Sequence, residues 1–89
     1  MTIDANSSVK PDDIMDKLAE YNIESRPIWK PMHMQPVFAE YAMVTADGSD
    51  GKNGSVCQSI FERGLCLPSD IKNTEEDMDL IISLVRGCF

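Results

Sequence analysis

The chain reads as a small α/β domain of two layers, with helices packed on one face of a small sheet. Short apolar, strand-like runs at residues 2–4, 23–28 and 65–67 alternate with helix-forming segments. Those helical segments open on capping signals and carry apolar residues at helical spacing. The resulting order is strand, helix, strand, loop, helix, strand, helix, and such alternation lays helices against a sheet. At 89 residues the chain is long enough for one such domain, residues 1–89, and not two.

Thr2-Ile3-Asp4 reads as the end of a strand, followed by the turn-forming Asn6-Ser7-Ser8. Pro11 opens the first helix, where a missing amide costs nothing. Asp12 and Asp13 fall in its first turn and complement the helix dipole. Ile14, Leu18 and Tyr21 recur at i, i+4 and i+7, with Met15 and Ala19 alongside, and define one apolar face. Asn22 is placed to end this helix in a left-handed cap. Ile23 to Ile28 then forms a short strand.

Pro27, Pro31 and Pro36 follow, each fixing its own φ and pushing the residue before it toward extended geometry. They exclude a regular helix and predict a stiff, mostly extended loop. Arg26, Trp29, Lys30, His33 and Gln35 sit on it, and no acidic residue occurs from Ser25 to Ala39 in a chain of net charge −7. A cationic island on a rigid loop reads as a surface for recognising an anion.

Periodicity is lost from Ala39 to Gly54, and Asp47-Gly48-Ser49-Asp50-Gly51-Lys52-Asn53-Gly54 is a run of turn formers that predicts a flexible exposed loop. Ser55 and Gln58 form a Ser-x-x-Gln capping box for a short second helix. Gly64 is its stop signal, and Glu62-Arg63 before it reads as a structural salt bridge and cap. Leu65-Cys66-Leu67 is a compact strand ended by Pro68. Thr74 with Asp77 caps a last helix whose apolar face is Met78, Ile81, Ile82 and Val85, with Gly87 marking its end.

The hydrophobic content of 43% and charged content of 26% are those of a globular protein. A pI near 4.4 argues against nucleic acid as a partner, which needs a broad basic surface. No apolar run approaches the roughly 20 residues that cross a bilayer, and no signal-peptide pattern opens the chain. The expected address is the cytoplasm. Cys57, Cys66 and Cys88 are odd in number and widely spaced, and His33 is the single histidine, so a metal site is not expected. Cys57 and Cys66 read as buried, reduced thiols.

The run Asn22 to Phe38, Asn-Ile-Glu-Ser-Arg-Pro-Ile-Trp-Lys-Pro-Met-His-Met-Gln-Pro-Val-Phe, resembles a signature of the DegT/StrS family of sugar-nucleotide aminotransferases. Phe61-Glu-Arg-Gly-Leu-Cys-Leu-Pro-Ser69 with Thr74-Glu-Glu-Asp77 resembles the family's next signature, in the expected order. Together they cover essentially residues 2–86. Between them, Ala39 to Val56 is polar and loop-like, a departure from the family's short aromatic or glycine-containing link.

The resemblance implies a pyridoxal phosphate-dependent enzyme of the aspartate aminotransferase fold type, moving an amino group from glutamate to a keto sugar on a nucleoside diphosphate. This chain resembles only its C-terminal small domain. The large domain that would hold the cofactor and its lysine is the implied partner, and the intact enzyme is implied to be a homodimer. The abrupt first strand and last helix also suggest a piece of something larger. No lysine here matches the family's cofactor lysine, so no catalytic residue and no bound cofactor are expected of this chain alone. The implied substrate-binding residues are Arg26, which can fork onto a carboxylate or phosphate, Trp29, a flat wall beside a ring, Lys30, a point charge for the diphosphate, and His33, a hydrogen-bonding group for a hydroxyl or phosphate. The bland alternatives are that Arg26 pairs with Glu24 or a large-domain acid and that Trp29 packs between domains. From the residues alone, a freestanding α/β module that holds an anionic metabolite is the competing function.

Overall fold

The computed structural model describes residues 1–52 and 54–89; Asn53, assigned above to the run of turn formers, lies outside the described residues. Helices α1 (Pro11–Ala19), α2 (Val56–Arg63) and α3 (Glu75–Gly87) accompany two short strands, β1 (Arg26–Pro27) and β2 (Leu65–Cys66). The strands pair antiparallel, with Arg26 opposite Cys66 and Pro27 opposite Leu65.

The three expected strand runs are present in shorter form. Residues 1–3 lie along the other edge of β2: the Met1 amino group donates to the Leu65 carbonyl (2.8 Å), and Leu65 N–H returns a bond to the Met1 carbonyl (3.0 Å). Ile3 N–H adds a third bond to the Arg63 carbonyl (2.9 Å). β2 is therefore flanked on both sides. β1 stops at Pro27, which has no N–H to carry a ladder further.

α1 starts at Pro11 and ends as its sequence dictates. Asn22 adopts φ 57°, and its N–H and that of Ile23 bond back to the carbonyls of Ala19 and Leu18, both at 3.0 Å. This paired closure satisfies carbonyls the helix would otherwise leave open. α3 has a reciprocal cap: Asp77 N–H donates to Thr74 Oγ1 (3.1 Å) and Thr74 N–H to Asp77 Oδ2 (2.9 Å). Gly87, expected to mark the end of the helix, is its last residue, and the Cys88 N–H after it reaches the Val85 carbonyl at 3.2 Å.

α2 departs further from expectation. Ser55 Oγ accepts from Gln58 N–H (3.3 Å), but the Gln58 amide turns forward to Glu62 (2.8 Å), so only half of the capping box forms. Gly64 is extended at φ −107°, not left-handed. Glycine is needed there for space: a Cβ would lie 2.5 Å from the Ile60 carbonyl oxygen and 2.6 Å from Ile28 Cγ1. The expected Glu62–Arg63 salt bridge is replaced by longer-range ties. Arg63 Nη1 donates to the Ile3 carbonyl (2.8 Å), and its Nη2 donates to Ser59 Oγ (3.0 Å).

α1 packs on α3, and the buried core is Ile3, Ile14, Leu18, Leu65 and Ile81. Val9, Met15, Ile23, Leu84 and Val85 close around it. Tyr21 and Ile82, assigned above to apolar faces, are 51% and 44% exposed. The radius of gyration is 16.1 Å over extents of 47 × 29 × 22 Å, against about 12 Å for a compact chain of this length. The elongation follows from residues 29–52, none of whose side chains enters the core.

Candidate functional site

Residues 29–52 form an arm that leaves the body after β1. Its proline-rich part was expected to be mostly extended; it coils instead into two 3₁₀ turns, Met32–Met34 and Pro36–Phe38. Pro31 and Pro36 stand at the starts of these turns, where their missing amides have no partner to lose and their carbonyls accept. Met34 N–H bonds the Pro31 carbonyl (3.0 Å), and Ala39 N–H bonds that of Pro36 (3.2 Å). Prolines that forbid a regular helix thus still permit single three-residue turns.

The first turn delivers His33. Its ring is half-buried, and Nε2 is shielded from solvent without a hydrogen-bond partner. The ring lines a cavity of about 420 Å³ together with Met32, Phe38, Tyr41, Met43 and Cys57. Phe38 and Tyr41 meet edge-on there, their centroids 6.2 Å apart. A shielded ring nitrogen without a partner is costly. Sequence reasoning missed the cavity walls; the one available signal is the spacing of Phe38 and Tyr41 on a turn.

The other candidates lie elsewhere. Trp29 is 86% exposed and Lys30 is also exposed, its carbonyl accepting from Gln35 Nε2 at 3.3 Å. Arg26, on β1, gives Nε and Nη2 to Glu24 Oε1 at 2.9 and 2.6 Å. It lines a separate cleft of about 600 Å³ between the strands and α3, beside Ile23, Leu67, Asp77 and Ile81. The structure therefore puts His33 and Arg26 in different concavities, with Trp29 and Lys30 on the open surface between β1 and the first turn.

The rest of the arm is more ordered than its composition predicts. Met43 and Gly51 close a hairpin, Gly51 N–H donating to the Met43 carbonyl at 2.8 Å, and Val44 bridges Asp50. Within it the Asp47 carboxylate accepts from Ser49 N–H (3.0 Å), Ser49 Oγ (2.7 Å) and the Thr45 hydroxyl. These donors hold the Asp47 carboxyl at about 2, below the usual range. Turn formers read as a flexible loop are here a turn held by one carboxylate.

Cys57 is exposed, correcting its assignment as a buried thiol: it sits in the first turn of α2, 3.2 Å from Ser55 Oγ, and faces the arm's cavity rather than the core. Cys66 is half-buried on β2. Among the described residues no three His, Cys, Asp or Glu side chains gather as a metal site, and no helix is long and apolar enough to cross a membrane.

Pyridoxal phosphate needs a lysine within its pocket. Lys10, Lys30 and Lys72 are exposed, Lys17 pairs with Glu20 at 2.8 Å, and Lys52 Nζ donates to the Ala39 carbonyl at 2.8 Å. Neither the cavity at His33 nor the cleft at Arg26 is lined by a lysine. A third concavity of about 340 Å³ does include Lys10, but beside Asp12 and Glu62, whose charges oppose a phosphate, so none of the three fits that cofactor.

The chain belongs to the DegT/DnrJ/EryC1/StrS aminotransferase family, whose model matches residues 1–86. It is 39% identical over 88 residues to a Bacillus subtilis (strain 168) protein provisionally named the pyridoxal phosphate-dependent aminotransferase EpsN. That alignment takes in 99% of this chain and 22% of the relative's length.

Proposed function

We propose that this chain is the C-terminal small domain of a pyridoxal phosphate-dependent aminotransferase that transfers an amino group from glutamate to a nucleotide-linked keto sugar, for surface polysaccharide or glycan synthesis. A large domain outside these 89 residues is its partner and the holder of the cofactor, in a cytoplasmic homodimer. Bound there, the cofactor supplies the electron sink for amino transfer.

This chain's part is to bind and orient the sugar nucleotide. The observation that carries the reading is His33 Nε2, shielded and unpartnered beside a cavity on an arm that bears no acid near Trp29 and Lys30. His33 exchanges a hydrogen bond with a sugar hydroxyl or phosphate oxygen. Lys30 sets a point charge beside the diphosphate, and Trp29 walls one side of a ring. Arg26 turns from Glu24 to a phosphate; such an exposed pair is worth about 0–1 kcal/mol, so the exchange is cheap.

A thermal-shift titration with UDP- and dTDP-linked sugars tests the binding part. Stabilisation by one of them, lost in Lys30→Ala and His33→Ala, is the expected result. Stabilisation that persists in both variants would place the site away from the arm.

A further inference from the structure

We propose that the arm, residues 29–52, opens and closes independently of the body, so that three of the four candidate ligand-binding groups, Trp29, Lys30 and His33, ride on a separately unfolding unit. Three observations carry this. The buried hydrophobic core draws on Ile3, Ile14, Leu18, Leu65 and Ile81, all outside the arm, and the partly buried residues packed on it are outside the arm as well. Among the described residues, every hydrogen bond made by residues 29–52 stays within that segment: the two 3₁₀ turns, the hairpin from Met43 to Gly51, and Lys52 on Ala39. Of the large side chains along it, Trp29, Met32, Val37, Tyr41 and Val44 are 60% exposed or more, and Met34, Phe38 and Met43 are half-buried, none in the core.

Local opening takes as little free energy as the contacts it breaks, and single 3₁₀ turns are short and weakly bonded. Among the described residues, opening the arm breaks only hydrogen bonds internal to it, together with the Phe38–Tyr41 contact and the cavity wall it shares with Cys57 of α2. The body keeps its core, its α1–α3 packing and the bonds of Met1 and Ile3 to β2 and Arg63. The joint is where Ile28 Cγ1 presses on the space over Gly64, just before the arm begins. Closure is then a step that a ligand can drive, and it does not depend on which ligand the arm takes.

Amide hydrogen exchange on the 89-residue chain without ligand, across a series of urea concentrations below the unfolding midpoint, is the test. The bonded amides Met34, Gln35, Phe38 and Gly51 should be protected at least about 100-fold less than the central amides of α1 and α3, with no urea dependence. Phe38→Ala should speed exchange in the arm and leave the urea midpoint of the body unchanged. Arm amides that exchange with the protection and urea slope of α1 and α3, or a Phe38→Ala midpoint that falls as far as that of Leu18→Ala, would overturn the proposal.

Discussion

Single residues divide by how far their partners lie along the chain. Leu18 was legible as core because its reason is local: it shares a helical face with Ile14, and both are fully buried. Leu18→Ala should cost about 2–5 kcal/mol in urea unfolding through lost burial and a cavity; an unchanged midpoint would mean that this core does not hold the fold. Gly64 was read correctly as the stop signal of α2, although it is extended and not left-handed. A Cβ there would meet both the Ile60 carbonyl oxygen of α2 and Ile28 Cγ1 from just before the arm, and the second neighbour is one that no local pattern reveals. Gly64→Ala should lower stability by about 1–3 kcal/mol as overpacked positions do, and full stability in that variant would show that Ile28 yields freely. Arg63 was misassigned for the same reason, since its partner Ile3 lies at the opposite end of the sequence. Of the four candidate binding residues, the pairing of Arg26 with Glu24 was among the alternatives the sequence offers, but nothing in their spacing tells that Arg26 and His33 would line different concavities.

Elements were legible where their signals are short-range. Thr74 and Asp77 lie one turn apart and cap α3 as their types require. Thr74→Ala should cost about 1 kcal/mol of stability by removing the cap hydroxyl. Its pH dependence has a definite sign. The Thr74 N–H and hydroxyl bonds hold the Asp77 carboxyl below its ordinary value in the folded state. A carboxyl depressed on folding adds stability that is present above its unfolded value near 3.9 and lost as pH falls through the lower, folded one. The stability gap between the native chain and Thr74→Ala should therefore narrow as pH falls below about 4, measured by urea midpoints; a gap that widens in acid would refute that role for Asp77. The arm was the element least legible. Its prolines excluded a regular helix, and the inference from there to an extended loop failed because Pro31 and Pro36 begin 3₁₀ turns. The hairpin at residues 43–51 escaped because its order rests on one carboxylate rather than on apolar periodicity.

At the scale of the whole molecule, the alternation of strands and helices was enough to give the fold class, while the shape was not legible. A two-layer body with five fully packed hydrophobic residues carries an arm that makes the molecule 47 Å long. Elongation depends on where 24 residues without apolar periodicity settle, which sequence patterns do not determine. The family match turns that shape into a functional question, because 22% of a relative's length is too little to carry the whole of its activity. Binding of a sugar nucleotide by the arm is the proposal on which this chain's role turns. Steady-state kinetics test it most directly, with residues 1–89 grafted in place of the matching segment of the Bacillus subtilis relative and the amino donor and nucleotide-linked keto sugar varied in turn. Lys30→Ala and His33→Ala should each raise KM for the sugar nucleotide about 10-fold or more, as loss of a charged or buried hydrogen bond does, and leave KM for glutamate unchanged. An unchanged KM for the sugar nucleotide in both variants, in an active graft, would contradict the account.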